Sequence, residues 1–191
     1  MAASVVPLPL VDAARLIGHY SWIESRSFEV LGGWVATVPE PAAKLLLDEH
    51  ARHHAWHAEL WWDRLPEVAG MGPGPLTVPA NPSIDGFVAA LAAPAPTIER
   101  LVGVYRVLHP RLVTAYAAHL EAASPITDGP TIRALTLVLA DVLADWRQGE
   151  KMIQGLLSSA GEVQRAAAHQ AQLEARLVAA GGIAGPPTAT D

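Results

Sequence analysis

Asp48-Glu49-His50-Ala51-Arg52-His53-His54-Ala55-Trp56-His57-Ala58-Glu59 places four of the chain's eight histidines within eight residues. The stretch lies between Pro41 and Pro66, and nothing inside it breaks a helix. At 3.6 residues per turn, residues three and four apart share a face. Leu46, His50, His53, His57, Leu60 and Arg64 then form one stripe. Its leucines direct that stripe toward the core, with His54 and Glu49 at its flank. An imidazole sent inward needs a partner, so the other helices must supply groups to meet these.

The 191 residues fit one domain, with enough chain to bury a core. Apolar residues make up 51%, which argues against disorder of the whole chain. Net charge is −6 and the 13 basic residues are scattered, which disfavours a nucleic-acid partner. Cysteine is absent, so disulfides, thiolate catalysis and iron–sulfur clusters are excluded. Met1 to Leu10 has neither a basic leader nor a long apolar run, so no signal peptide is read. No apolar run of about 18 residues escapes a charge, so no membrane span is expected. A soluble cytoplasmic protein is the expectation.

Residues 1–11 are too rich in proline for helix. Asp12 suits an N-cap for a first helix over about 13–37, with Ile17, Tyr20, Leu31 and Trp34 as its apolar face. Glu24 shares that face, and a carboxylate there would cost several kcal/mol if unpaired. Val38-Pro39-Glu40-Pro41 is a short turn into a second helix, about 41–64, antiparallel to the first. Residues 66–83 carry five prolines and three glycines and read as a long crossover without regular structure. A short helix follows, about 83–92.

A third long helix, about 97–123, has the stripe Ile98, Val102, Tyr105, His109, Leu112, Tyr116, His119. Pro110 falls inside it and should kink it beside His109. Asp128 is read as the cap of a fourth helix, about 130–158, with the stripe Leu135, Val138, Val142, Asp145, Gly149, Met152, Leu156. Asp141 lies one turn before Asp145. A fifth helix, about 161–179, is amphipathic through Val163, Ala167, Gln170, Leu173 and Leu177. Residues 1–180 are expected to form the single domain, and Gly181 to Asp191 a disordered tail. The whole is all-α: two αα-hairpins joined by a long crossover, one kind of four-helix bundle.

Carboxylate and imidazole from several helices suit a divalent ion such as Fe, Mn or Zn. Glu24, His50, His53 and His57 are the candidate metal ligands. Glu24, His57, Asp145 and Tyr105 are the candidate catalytic residues. Asp145 could equally be paired with Arg64 or with a histidine, and Tyr105 and Tyr116 could simply pack. His19 and His169 read as surface residues. Trp61 and Trp62 cannot both face inward, which suggests a homodimer contact.

The segment Glu49 to Trp61 resembles the second helix of small bacterial ferritin-like proteins. Asp128-Gly129-Pro130-Thr131-Ile132-Arg133, leading into Ala140-Asp141-Val142-Leu143-Ala144-Asp145-Trp146, resembles their fourth. This resemblance to the ferritin-like superfamily covers about residues 13–160 and implies a four-helix bundle around a di-iron or di-manganese site. The family pattern is a lone Glu on helices one and three and Glu-x-x-His on helices two and four. Glu24 matches the first position. Helix two offers His50-x-x-His53, helix three Tyr105, His109 and Tyr116, and helix four Val142-x-x-Asp145. The ligand set is therefore altered.

Three functions follow as alternatives. One is a metal-binding oxidoreductase acting on a small molecule. The second is a metal-free enzyme in which a histidine and a carboxylate do acid–base work near neutral pH. The third is a non-enzymatic helical interaction protein with the polar cluster as a specificity device.

Overall fold

A computed structural model describes residues 8–68, 71–93 and 96–185. The elements are α1 (Leu10–Val35), α2 (Pro41–Trp62), α3 (Pro73–Leu76), α4 (Ser83–Ala92), α5 (Thr97–Val102), a π-helical turn (Gly103–Leu108), α6 (His109–Ala122), α7 (Gly129–Leu156) and α8 (Ala160–Ala179). No strand occurs among the described residues; Val68 and Met71 form an isolated bridge. No helix is long and apolar enough to cross a membrane among these residues.

α1 packs chiefly on α2, and α6 on α7. α2 in turn touches α7, and α8 lies across α4, α5 and the π turn. The α1–α2 contact is close because α2 presents Ala51 and Ala58 there, both buried. Ser21 Oγ of α1 donates to the Ala58 carbonyl at 3.0 Å. Trp61, Tyr20, Tyr105, Tyr116 and Phe87 are the largest fully buried side chains, and burying an apolar side chain of this kind is worth about 1.5–3 kcal/mol. α3 gives the crossover more order than its composition suggests. It seats on α1 at Gly18, where a Cβ would overlap the Leu76 carbonyl.

α1 starts at Leu10, so Asp12 lies in its first turn rather than at its cap. There its charge still favours the helix N-terminus, and it pairs with Arg15 at 3.4 Å. Asp128 precedes α7 as expected, but its carboxylate accepts from Ser124 N–H across the loop instead of capping α7. α8 takes a capping box from Ser159 and Glu162. Its buried face is Ala166, Leu173 and Leu177, and Val163 is exposed.

The third long helix is continuous from Thr97 to Ala122, with every residue of its predicted stripe buried. Its distortion at Pro110 takes the form of the π turn. His109 N–H donates to the Val104 carbonyl, five residues back. After α8, Gly181 and Gly182 adopt positive φ and turn the chain back, and Ile183 is buried in the core. The expected tail is thus packed at this point; residues 186–191 lie outside the described residues, as do residues 1–7. Trp61 is fully buried and Trp62 is exposed.

Candidate metal and proton site

Glu24 enters the interior from the middle of α1 and is completely buried. Two of its neighbours come from α2 and one from α6. His54 Nδ1 donates to Glu24 Oε2, and the Tyr116 hydroxyl donates to Glu24 Oε1. His57 Nδ1 stands 3.7 Å from Glu24 Oε1 without a hydrogen bond. Donor atoms of Glu24, His54 and His57 all lie within 4.8 Å of one another.

Each imidazole has a second partner on its far side. His57 Nε2 meets Asp141 Oδ2 at 3.2 Å, and the Asp141 side chain is 38% exposed. His54 Nε2 meets His109 Nε2 at 3.2 Å. Burial and the imidazoles of His54 and His50 keep His109 well below the usual histidine range, so it is neutral. With His54 Nδ1–H given to Glu24, the contact to His109 is a hydrogen bond between the two Nε2 atoms, one of them donating.

Charge in this cluster is settled by opposing effects. Burial alone would raise the Glu24 carboxyl, but the neighbouring His54 and His57 hold it below the ordinary carboxylate range. Burial would lower His57, yet Glu24 and Asp141 raise it. Burial, aided by Glu24, pushes the Tyr116 hydroxyl well above its usual value, so it remains a donor.

A second group lies farther along α2 toward its N-terminus. His50 Nδ1 meets the Tyr105 hydroxyl at 2.7 Å, and His50 Nε2 lies 3.3 Å from Asp145 Oδ1. His53 Nδ1 donates to both Asp145 oxygens, at 3.1 and 2.9 Å. Burial lowers His50 to about 3, with His53 and His54 adding to the effect. Burial raises Asp145 against the opposing pull of His53. Burial also raises Tyr105, reinforced by the Asp145 charge.

The predicted site residues therefore divide into two groups. Glu24 and His57 meet. His50, His53, Tyr105 and Asp145 form the second group, and neither His50 nor His53 joins Glu24 in the three-residue cluster. His54, expected at the flank, takes the inward place beside Glu24, while His53 keeps a side chain 34% exposed. The reason is the rotation of α2. Leu47, Ala51, His54, Ala58 and Trp61 are all buried, which centres the inward arc on His54. Arg64 is exposed, and Asp145 pairs with the histidines instead. His19 and His169 are half-buried rather than on the surface; His19 Nδ1 donates to the Val78 carbonyl at 2.9 Å.

Sequence reasoning missed the contacts His54–His109, Tyr116–Glu24 and His57–Asp141. The first had a signal. His54 follows Leu47 by seven residues and precedes Trp61 by seven, so it shares their face. Compared with known proteins, the chain matches no family model, no curated protein and no solved structure.

Proposed function

We propose that this chain is a ferritin-like four-helix protein whose interior holds one divalent transition-metal ion, iron, manganese or zinc, in the manner of a metal-dependent oxidoreductase. The observation that carries the reading is the gap between His57 and Glu24. His57 Nε2 faces the Asp141 carboxylate at 3.2 Å, which leaves the Nδ1 lone pair of a neutral imidazole facing the Glu24 carboxylate at 3.7 Å. Two buried electron-rich atoms that face each other call for a cation between them.

The donor set fits such an ion. One carboxylate offsets charge and two imidazoles supply neutral nitrogen. Glu24, His54 and His57 would hold it. Asp141 orients His57, and Tyr116 orients Glu24, as outer partners of metal ligands commonly do. A bound ion would supply Lewis acidity and, for iron or manganese, redox capacity. The Asp141 and His53 side chains, 38% and 34% exposed, carry the polar network from the interior to the surface.

The test is metal analysis of untagged protein after chelation and reloading with Zn²⁺, Mn²⁺ or anaerobic Fe²⁺. One ion per chain is expected, lost in His57→Ala. Absence of stoichiometric metal under all three conditions would overturn the reading.

A second reading has its own support. The cation in the gap can be a proton, since His57 is raised and Glu24 is lowered. A proton shared there, and linked outward through Asp141, is the acid–base pair a metal-free enzyme would use.

A further inference from the structure

A groove of about 650 Å³ is bounded by Arg106 of the π turn and by residues of α6, α7 and α8. That is the size of a small-molecule site. Its apolar lining comes from Pro110, Leu143 and Trp146. Its charged groups are mainly cationic, Arg106, Arg147 and Lys151 against the single acid Glu150, with Gln154 and Gln170 as neutral polar neighbours.

Arg106 and Glu150 satisfy each other through a two-pronged pair, with distances of 2.9 and 2.7 Å. Arg147 and Lys151 have no acidic partner among the described residues, in a chain of net charge −6. They stand four residues apart on α7, so two like charges share one face, an arrangement that disfavours the helix. Trp146 and Glu150 form the adjacent row on the same helix. A groove lined by an indole, two further apolar side chains and two cations without an acidic partner is complementary to an anion carrying a flat apolar body.

We propose that this groove binds a small aromatic carboxylate, its carboxylate between Arg147 and Lys151 and its ring against Trp146. The site is independent of the metal centre. It uses none of the residues of that centre and requires no ion there.

Calorimetric titration of the full chain with naphthoate tests it, beside neutral naphthol and inorganic sulfate. Naphthoate should bind saturably at one per chain, with at least tenfold weaker binding in the surface variant Arg147→Gln/Lys151→Gln. Naphthol should bind at least tenfold more weakly than naphthoate, and sulfate should not displace naphthoate. Metal-stripped protein should bind it equally well. Absence of saturable binding at millimolar naphthoate, or undiminished affinity in the double variant, would sink the proposal. Displacement by sulfate as effective as by naphthoate would also overturn it, since charge alone would then be recognised.

Discussion

Gly149 of α7 lies directly beneath the phenol ring of Tyr105; a Cβ at 149 would overlap the ring carbons Cγ, Cδ1 and Cδ2. The missing side chain is what lets Tyr105 sit fully buried with its hydroxyl 2.7 Å from His50 Nδ1. Gly149→Ala therefore reverses the usual rule. Mid-helix Gly→Ala normally stabilises by about 0.5–1 kcal/mol, whereas overpacking a tight core costs about 1–3 kcal/mol. The variant should melt at lower temperature than the native chain. A higher melting temperature would show that Tyr105 is not held where described.

Among the described residues, Glu24 carries the only carboxylate that meets both His54 and His57. Removing one partner of a buried charged pair costs about 3–5 kcal/mol, because the other is left uncompensated. Glu24→Ala should lose that much in chemical denaturation. A neutral or stabilising effect, with any activity or ligand unchanged, would favour a purely structural bundle over a metal or acid–base site.

Asp141 is half-exposed, so its removal should leave the fold largely intact. Its work is to fix the His57 ring with Nδ1 toward Glu24. Loss of such an outer partner typically weakens metal binding by about 10–100-fold. Competition of Asp141→Ala against a chelator of known affinity should show a drop of that size. Unchanged affinity would mean that His57 needs no orienting group.

His119 tests the pH dependence away from the Glu24 cluster. It is buried, its Nδ1 has no hydrogen-bond partner, and burial holds it below the ordinary histidine range despite an opposing pull from Asp128. The unfolded chain binds a proton at this residue near pH 6.5 while the folded one does not. Stability from this residue is complete above that pH and declines as pH falls below it. His57, being raised, contributes with the opposite sign, so the comparison must be between variants. His119→Gln should lose less stability than the native chain between pH 7.5 and 5.5, followed by urea denaturation. Equal losses in the two proteins would remove His119 from the account.

Much of this architecture was readable from residue spacing. Helix lengths followed from proline and glycine positions, and the stripe from Ile98 to His119 is buried along its entire length. Glu24 stood out because a carboxylate interrupted an apolar face. The rotation of α2 was harder to read. A three-residue histidine stripe pointed to His53, but small residues weigh in the packing too, and Ala51 and Ala58 turned His54 inward. Partners across the bundle, such as Tyr116 to Glu24 and His109 to His54, depend on how helices far apart in sequence lie against each other. Periodicity within one helix carries no such information.

The π turn before His109 gives the third long helix a phase offset. A π turn holds one residue more than an α turn requires. Rewinding Gly103–Leu108 as ordinary α-helix without removing a residue would rotate every position downstream by about 100° relative to the upstream half. His109, Tyr116 and His119 would then swing away from α1 and α2. The interior chemistry of this protein thus rests on one surplus backbone unit, in a segment that sets Tyr105 and Arg106 among apolar neighbours.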